Sequence, residues 1–430
     1  MLKNRFFHGA CLALAAALCA SGCDGEQESK YHYGAAMFPE PTCAQTTVAT
    51  EGATAIAGAM GELGFALAQE MNAAPEQNVL MSPASVSIAL GMTWNGAAGT
   101  TEQEMRDALA FGDLTADEVR AGYRDFLEYV SCSSPDVDLE YANAIWYRSD
   151  LDTDLVPAFV TQSAESFFAP VAAIPAEDPV GYVNGWISER THGRIEDLVD
   201  TIDPDAAMLL VDALYLKAKW ATELDTLVEH GTFHGASGDV DVAFLGSLDG
   251  GLALPYAETD AFQAVRLPYV GGMHAMTVIL PKEGQTADAV LAGLDFEAFA
   301  ALEGSMTDDQ TIGLSLPRFR VTTGTVELGP LLQALGMVAP FDPLTADFGG
   351  MFQTEPVYIF RVMHKAFVEV TEKGTEAAAA TVVEVNDTGA ADDDVSMPVD
   401  RPFLFVIHDV ATNAPLFIGK ITEPERVEAK

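Results

Sequence analysis

Positive charge is scarce in this chain. Only 22 Lys and Arg stand against 64 Asp and Glu among 430 residues, a formal net charge of −42. That balance excludes a general nucleic-acid binder, which needs a basic face. It also excludes docking on anionic lipid through basic residues. Such acidity favours solubility and repels acidic partners. Cysteine is rare as well, with five residues, and none has zinc-type spacing. The signatures of common enzyme chemistries are missing: there is no nucleophile elbow, no zinc-binding helix, no P-loop and no dinucleotide loop. His230 and His234 lie four apart in "HGTFH", but Gly231, Thr232 and Phe233 speak against the helix that would aim both at one metal. No metal and no cofactor are expected, and the residues give no catalytic set.

The apolar stretch "ACLALAAALCA", Ala10 to Ala20, is too short for a spanning helix. With Lys3 and Arg5 before it, it reads as a targeting segment, residues 1–22, rather than part of the fold. It ends in "ASGC", Ala20 to Cys23, which resembles a bacterial lipobox, although Ala20 stands where leucine is usual. The expectation is a lipidated Cys23 and a membrane-anchored lipoprotein at the cell envelope. An ordinary secretory signal, with release to the extracellular space, is the alternative; both mean export. Cys43 and Cys132 then remain, and export permits a disulfide between them, two independent thiols being the other reading. Residues 23–54 are small, polar and poorly patterned and read as a flexible tether. The folded part is expected over 55–425, with a short tail at 426–430.

Within it, Ile56, Met60, Leu63, Leu67 and Met71 recur at helical spacing. Ser82 is a suitable N-cap for the next helix, with Pro83 at its first position and Gly96 near its exit. "PVGYVNGWISERTHGRI" reads as a helix ending near Gly193. "MLLVDALYL", "AMTVIL", "TIGLSLPRFRV", "PVYIFRVMHKAFVEV", "PFLFVIHDV" and "APLFIGKI" read as strands. No linker divides the chain after Ala55, which favours one α+β unit. His364, flanked by apolar residues, reads as a hydrogen-bonded core histidine.

One stretch fits no single element: "TEKGTEAAAATVVEVNDTGAADDDVSM", Thr371 to Met397. Read with period two, Thr375, Ala377, Ala379, Thr381, Val383 and Val385 share one face, small or β-branched throughout. Glu376, Ala378, Ala380, Val382, Glu384 and Asn386 share the other. That is the alternation of a half-buried strand. Alanine, however, is a poor strand former, and "NDTGAADDD" has loop chemistry. The segment suits a loop in one state and a central strand in another. By composition alone it is an acidic surface loop.

These residues resemble the serpin family. "EKGTEAAAAT" is similar to its proximal hinge, and "MPVDRPFLFVI" to the signature that follows its reactive loop. "NVLMSPASVSIALGM", "VNGWISERTHGRI", "LPYVGGMHAMTVILP", "LPRFRV", "GMVAPFDPLTADFGGM" and "PLFIGKI" match further motifs in the family's order, from Ile56 to Thr422. The resemblance implies the α+β serpin fold, with three β-sheets, eight or nine helices and an exposed reactive-centre loop at about 372–398. It implies a suicide inhibitor of proteases, not an enzyme, acting as a monomer. In its hinge, Glu372 tops the sheet, Gly374 gives flexibility, Thr375 is the first side chain to insert, and Ala377, Ala378, Ala379 and Ala380 keep insertion fast. Arg318 stands where the family places a cationic partner for Glu372, near Trp220 at the sheet's upper end. If both ends of that pair are exposed, it contributes at most about 1 kcal/mol. Ser82, Ser85 and His364 match the shutter beneath the point of opening, where Asp212 replaces the usual asparagine and can pair with a protonated His364 or share a hydrogen bond with it.

The reactive bond falls at Thr388–Gly389 counted from the hinge, or at Ala391–Asp392 counted back from Phe403. Both present small side chains, which points to an elastase- or subtilisin-like serine protease. A cysteine protease as target and a non-inhibitory carrier or chaperone are the rival readings.

Overall fold

The structure, a computed structural model, describes residues 31, 33, 37, 41, 48–73, 77–131, 137–151, 154–203, 206–212, 214–248, 250–322, 324–353, 356–375 and 394–427. Among them are nine α-helices: Glu51–Met71 (α1), Pro83–Trp94 (α2), Gly99–Ala108 (α3), Ala116–Ser131 (α4), Pro157–Ser166 (α5), Pro179–Arg190 (α6), Ala287–Ala292 (α7), Phe296–Ser305 (α8) and Gly329–Ala334 (α9). Helix α1 opens inside the stretch read as tether, because Thr50 caps it by accepting from the Ala53 N–H. Its stripe of Ile56, Met60, Leu63 and Leu67 is buried. Ser82 caps α2 and Pro83 takes its first position. Every residue of α2 is buried, as expected of a helix without a polar face. Helix α6 stops at Arg190, short of the expected Gly193. His192 and Gly193 take positive φ, 49° and 74°, and turn the chain away.

A six-stranded antiparallel sheet runs in the order Val79–Met81, Pro415–Ile421, Phe403–Asp409, His274–Pro281, Phe262–Pro268, Tyr256–Glu258. A second sheet holds Val395–Pro398, Thr311–Pro317, Gly238–Gly246 and Asp225–Gly235. His230 and His234 lie in the last of these strands and face separate partners, Asp241 at 2.9 Å and Asp239 at 2.8 Å.

The third sheet is the largest, and consists of two five-stranded halves stacked end to end. The upper order is Phe319–Thr322, Phe367–Thr371, Gly374–Thr375, Leu214–Lys219, Val137–Tyr141. The lower order is Val326–Glu327, Arg361–His364, Met208–Asp212, Ala144–Arg148, Val171–Ile174. Each long strand crosses both halves with a short break, such as Ala142–Asn143 or Lys365–Ala366. The run "PVYIFRVMHKAFVEV" thus supplies two strand segments, and Val357 to Phe360 stay outside the ladder.

Helix α2 packs against the strand Pro415–Ile421 and against Met208–Asp212, so it joins the six-stranded sheet to the main one. Helix α6 covers the outer face of the lower half. Its Val183, Trp186 and Ile187 bury with Trp146, Leu209, Val211 and Met363. Tyr31, Tyr33 and Met37 lie against this helix, so the tether reading fails for these three. Isolated side chains at irregular spacing carry no period from which docking can be read.

Candidate functional site

The main sheet contains one central pairing of a different kind. In the lower half, Arg361–His364 lies directly beside Met208–Asp212, parallel, from Arg361 opposite Leu209 to His364 opposite Asp212. In the upper half the same two strands are parted, and Gly374–Thr375 occupies the space, antiparallel to both. Thr375 lies opposite Val370 on one side and Ala218 on the other; Gly374 lies opposite Thr371 and Lys219. The offset between the parted strands equals that of the closed seam below. The dipeptide therefore sits in a slot whose register continues downward.

Local chemistry builds this entrance. Gly374 has φ 150°, and a Cβ there would lie 2.0 Å from the Ala218 carbonyl oxygen, so no other residue fits. Glu372 and Lys373 form the turn before it, and the facing chain takes both carbonyls. The Trp220 backbone N–H donates to Lys373 O at 2.9 Å and the Leu224 N–H to Glu372 O at 2.8 Å. The Trp220 ring N–H donates to Thr371 O at 2.9 Å. That ring stacks on Tyr269, centroids 4.6 Å apart at 7°, and the Tyr269 hydroxyl meets Thr375 Oγ1 at 2.6 Å. Thr375 is buried. Trp220 therefore does more than fill the core: it clamps the turn.

Arg318 and Glu372 form an ion pair at the top of the slot. Thr226 Oγ1 donates to the same carboxylate oxygen at 2.5 Å and accepts from Arg318 at 3.1 Å. Glu229 stands 3.5 Å from the other side of the guanidinium. The premise of two exposed partners does not hold, because the Arg318 side chain is 3% exposed and that of Glu372 29%. Burial pushes the Glu372 carboxyl up, but hydrogen bonds from Thr226 and Arg318, with the Arg318 charge, outweigh it and hold the group below the ordinary glutamate range.

The second cluster lies where the parted and closed halves meet. His364, Asp212, Ser82 and Ser85 are wholly buried. The Ser82 N–H donates to His364 Nε2 at 3.1 Å. That leaves Nδ1 to carry the ring proton and donate to Asp212 Oδ1 at 2.5 Å. A neutral ring thus satisfies both contacts, and of the two arrangements open to Asp212 this is the shared hydrogen bond. Ser85 Oγ lies 3.0 Å from Asp212 Oδ1 and 3.1 Å from Asn143 Oδ1, and Asn143 Nδ2 returns a bond to Ser85 O at 3.2 Å. Asp212 Oδ2 is buried without a hydrogen-bond partner among the described residues. The pair spans the seam, with Asp212 on one strand and His364 on the other.

Asn143, Thr226, Glu229 and Tyr269 join these clusters and were not singled out from sequence. Asn143 left a signal, since a polar residue inside "YANAIWY" must find a buried partner. Thr226 and Glu229 left none. Ala377 to Ala380, the bonds Thr388–Gly389 and Ala391–Asp392, and Cys23, Cys43 and Cys132 lie outside the described residues.

Glu372→Gln removes the charge beside a buried cation. At neutral pH the expected cost is about 1–3 kcal/mol, below the full cost of orphaning a buried ion because Glu229 remains. A depressed folded-state pKa contributes stability above the unfolded value and loses it as pH falls through the folded one. Melting temperature followed against pH should show an acid-side loss in wild type, below the ordinary glutamate range, that is weaker in Glu372→Gln. Superimposable curves would contradict the ion-pair account.

The chain matches the family profile described as Serpin (serine protease inhibitor) over residues 58–424. Human serpin B8 is 31% identical over 355 residues, covering 81% of this chain and 93% of that protein. An uncharacterized serpin-like protein of Thermococcus kodakarensis is 32% identical over 384 residues, with 86% of each chain covered. The solved structure of tengpin, a thermophilic serpin in its native state, superposes with a TM-score of 0.76 at 26% identity, over 89% of this chain and 97% of tengpin. Fold, seam and matches agree: the protein belongs to the serpin family, whose members are in general protease inhibitors rather than enzymes.

Proposed function

We propose that this protein is a suicide inhibitor of serine proteases that prefer small side chains. The observation that carries the reading is the half-filled slot: Gly374 and Thr375 already hold two ladder positions, and the register continues into a closed seam. A strand continuing from Thr375 in this register would set Ala377 between Leu216 and Val368 and reach the His364–Asp212 pair at Thr381. The small side chains of "EAAAAT" suit that path. Insertion would exchange one parallel pairing, slightly the weaker kind, for two antiparallel ones. Twelve residues at about 3.3 Å each carry the far end of the strand roughly 40 Å.

The two ends of the loop are held on different sheets. Thr375 is in the main sheet. Asp394 is fixed to the second, where its carboxylate accepts from Thr311 N–H and Oγ1, both at 2.9 Å, just before the strand Val395–Pro398. An intact loop is therefore tied at its C-terminal end. The serine of a protease attacks a loop carbonyl, forming an ester and breaking the amide bond. The new N-terminus leaves with the Asp394 side, and the acyl half is free to enter the slot with the protease attached. Thr388–Gly389 is the proposed bond and Ala391–Asp392 the alternative; an elastase- or subtilisin-like enzyme accepts either. Export, a lipid on Cys23 and a monomeric state complete the proposal, on the sequence grounds given above.

Incubation with a panel of such proteases is expected to give an SDS-stable covalent complex and a released C-terminal peptide whose mass names the bond. Turnover of the loop with no complex would refute inhibition. Thr375→Arg places a charge at a buried position beside Tyr269, and the expected result is loss of the complex with the loop still cleaved. Retained complex would show that insertion does not begin there. For the seam, the prediction concerns spontaneous conversion to a higher-melting form. Asp212 bridges the seam to His364 and also bonds Ser85, and its Oδ2 has no hydrogen-bond partner among the described residues. Conversion followed from about pH 5 to about pH 8 is expected to differ between wild type and Asp212→Asn. Parallel profiles would dismiss the role of Asp212.

A further inference from the structure

Helix α6 is hollowed on one face. Gly181 and Gly185 lie four apart, hence on the same side of the helix, and neither has the positive φ that would demand glycine. What demands it is space. A Cβ on Gly181 would lie 2.4 Å from the Tyr31 hydroxyl, and one on Gly185 2.8 Å from Tyr31 Cδ2 and from the Tyr33 hydroxyl. Glycine weakens a helix interior, and here it makes room for two tyrosines more than 140 residues away in sequence.

Three polar contacts fix the visitor. The Tyr31 hydroxyl donates to the carboxylate of Asp178, the residue that caps α6. The Tyr33 hydroxyl donates to Tyr182 O at 2.6 Å. The Trp186 ring N–H donates to Met37 O at 3.0 Å. The rings of Tyr31 and Tyr33 lie 5.3 Å and 4.8 Å from that of Tyr182, within the range of favourable aromatic pairs. Tyr182 and Trp186 in turn meet Trp146 of the sheet edge-on, at 5.8 Å and 5.6 Å. The contacts thus run from the N-terminal segment, through α6, into the lower half of the main sheet.

That half holds the closed seam. Val183, Trp186 and Ile187 of α6 bury in one cluster with Leu209 and Val211 of one seam strand and Met363 of the other, so parting the strands would disturb the packing beneath the helix. We infer that Tyr31 and Tyr33, seated against the glycines of α6, with Met37 on Trp186, act as a strap that slows opening of the seam in the absence of protease. The inference rests on the insertion reading above.

Two full-length variants test it: Tyr31→Ala/Tyr33→Ala, and Gly185→Ala, which fills the groove. Each is held below its melting temperature without protease, and the fraction reaching a higher-melting form is followed with time. Quenching of tryptophan fluorescence by acrylamide is measured on the native proteins and does not depend on insertion. Both variants are expected to convert about tenfold faster, the effect of losing a net hydrogen bond or two, and to quench more readily. The sign for Gly185→Ala is decisive, because helix propensity alone makes alanine stabilising. Unchanged or slower conversion beside a converting wild type overturns the strap, as does unchanged quenching. Raised quenching with no conversion of any intact sample overturns the strap, and no higher-melting form even after the loop is cleaved overturns the insertion reading, and the coupling with it.

Discussion

The parallel contact between Met208–Asp212 and Arg361–His364 is the constraint on which the rest of the structure depends. Elsewhere the main sheet is antiparallel, except where the edge strand Val171–Ile174 joins. The pairing is interior, and directly above it the same two strands are parted by Gly374–Thr375, which bond to both neighbours. The fold is closed below and open above, and its chemistry is concentrated at the two ends of the parted section.

Those ends are held by different means. At the top, Arg318 is a buried cation balanced by Glu372 and Glu229, and the turn is clamped by Trp220. At the bottom, a histidine and an aspartate face each other across the seam with two serines from the N-terminus of α2. Buried charge is costly unless paired, so both clusters resist separation until something replaces their partners. Under the proposed insertion, Thr381 would bring a hydroxyl to the height of His364 as such a replacement. If the strap acts as proposed, α6 adds a third restraint, mechanical rather than electrostatic.

Much of this was legible in the chain. The caps at Ser82 and Pro83, the apolar stripe of α1 and the long β-branched runs follow from local rules, because helix entry and strand burial are decided by residues within a few positions of one another. The hinge was readable from its alternation and small side chains, and Glu372 with Arg318 from family resemblance. The breaks in the long strands were not readable, since nothing local in "RVMHKAFVEV" distinguishes a ladder from its interruption. Nor was Asp212 as the acceptor of a neutral imidazole: the tautomer is set by the backbone N–H of Ser82, a residue far away in sequence.

The glycines of α6 show the limit most clearly. In sequence, Gly181 and Gly185 are blemishes in a helix, and Tyr31 and Tyr33 are stray aromatics in a polar stretch. Composition and periodicity determined that this is one acidic α+β chain with a segment able to be loop or strand. Only the tertiary structure decided that the slot is already entered at Thr375, that Arg318 is buried, and that the tyrosines fit the glycines. Periodicity reports which face of an element is apolar; it carries no information about which distant surface that face will meet.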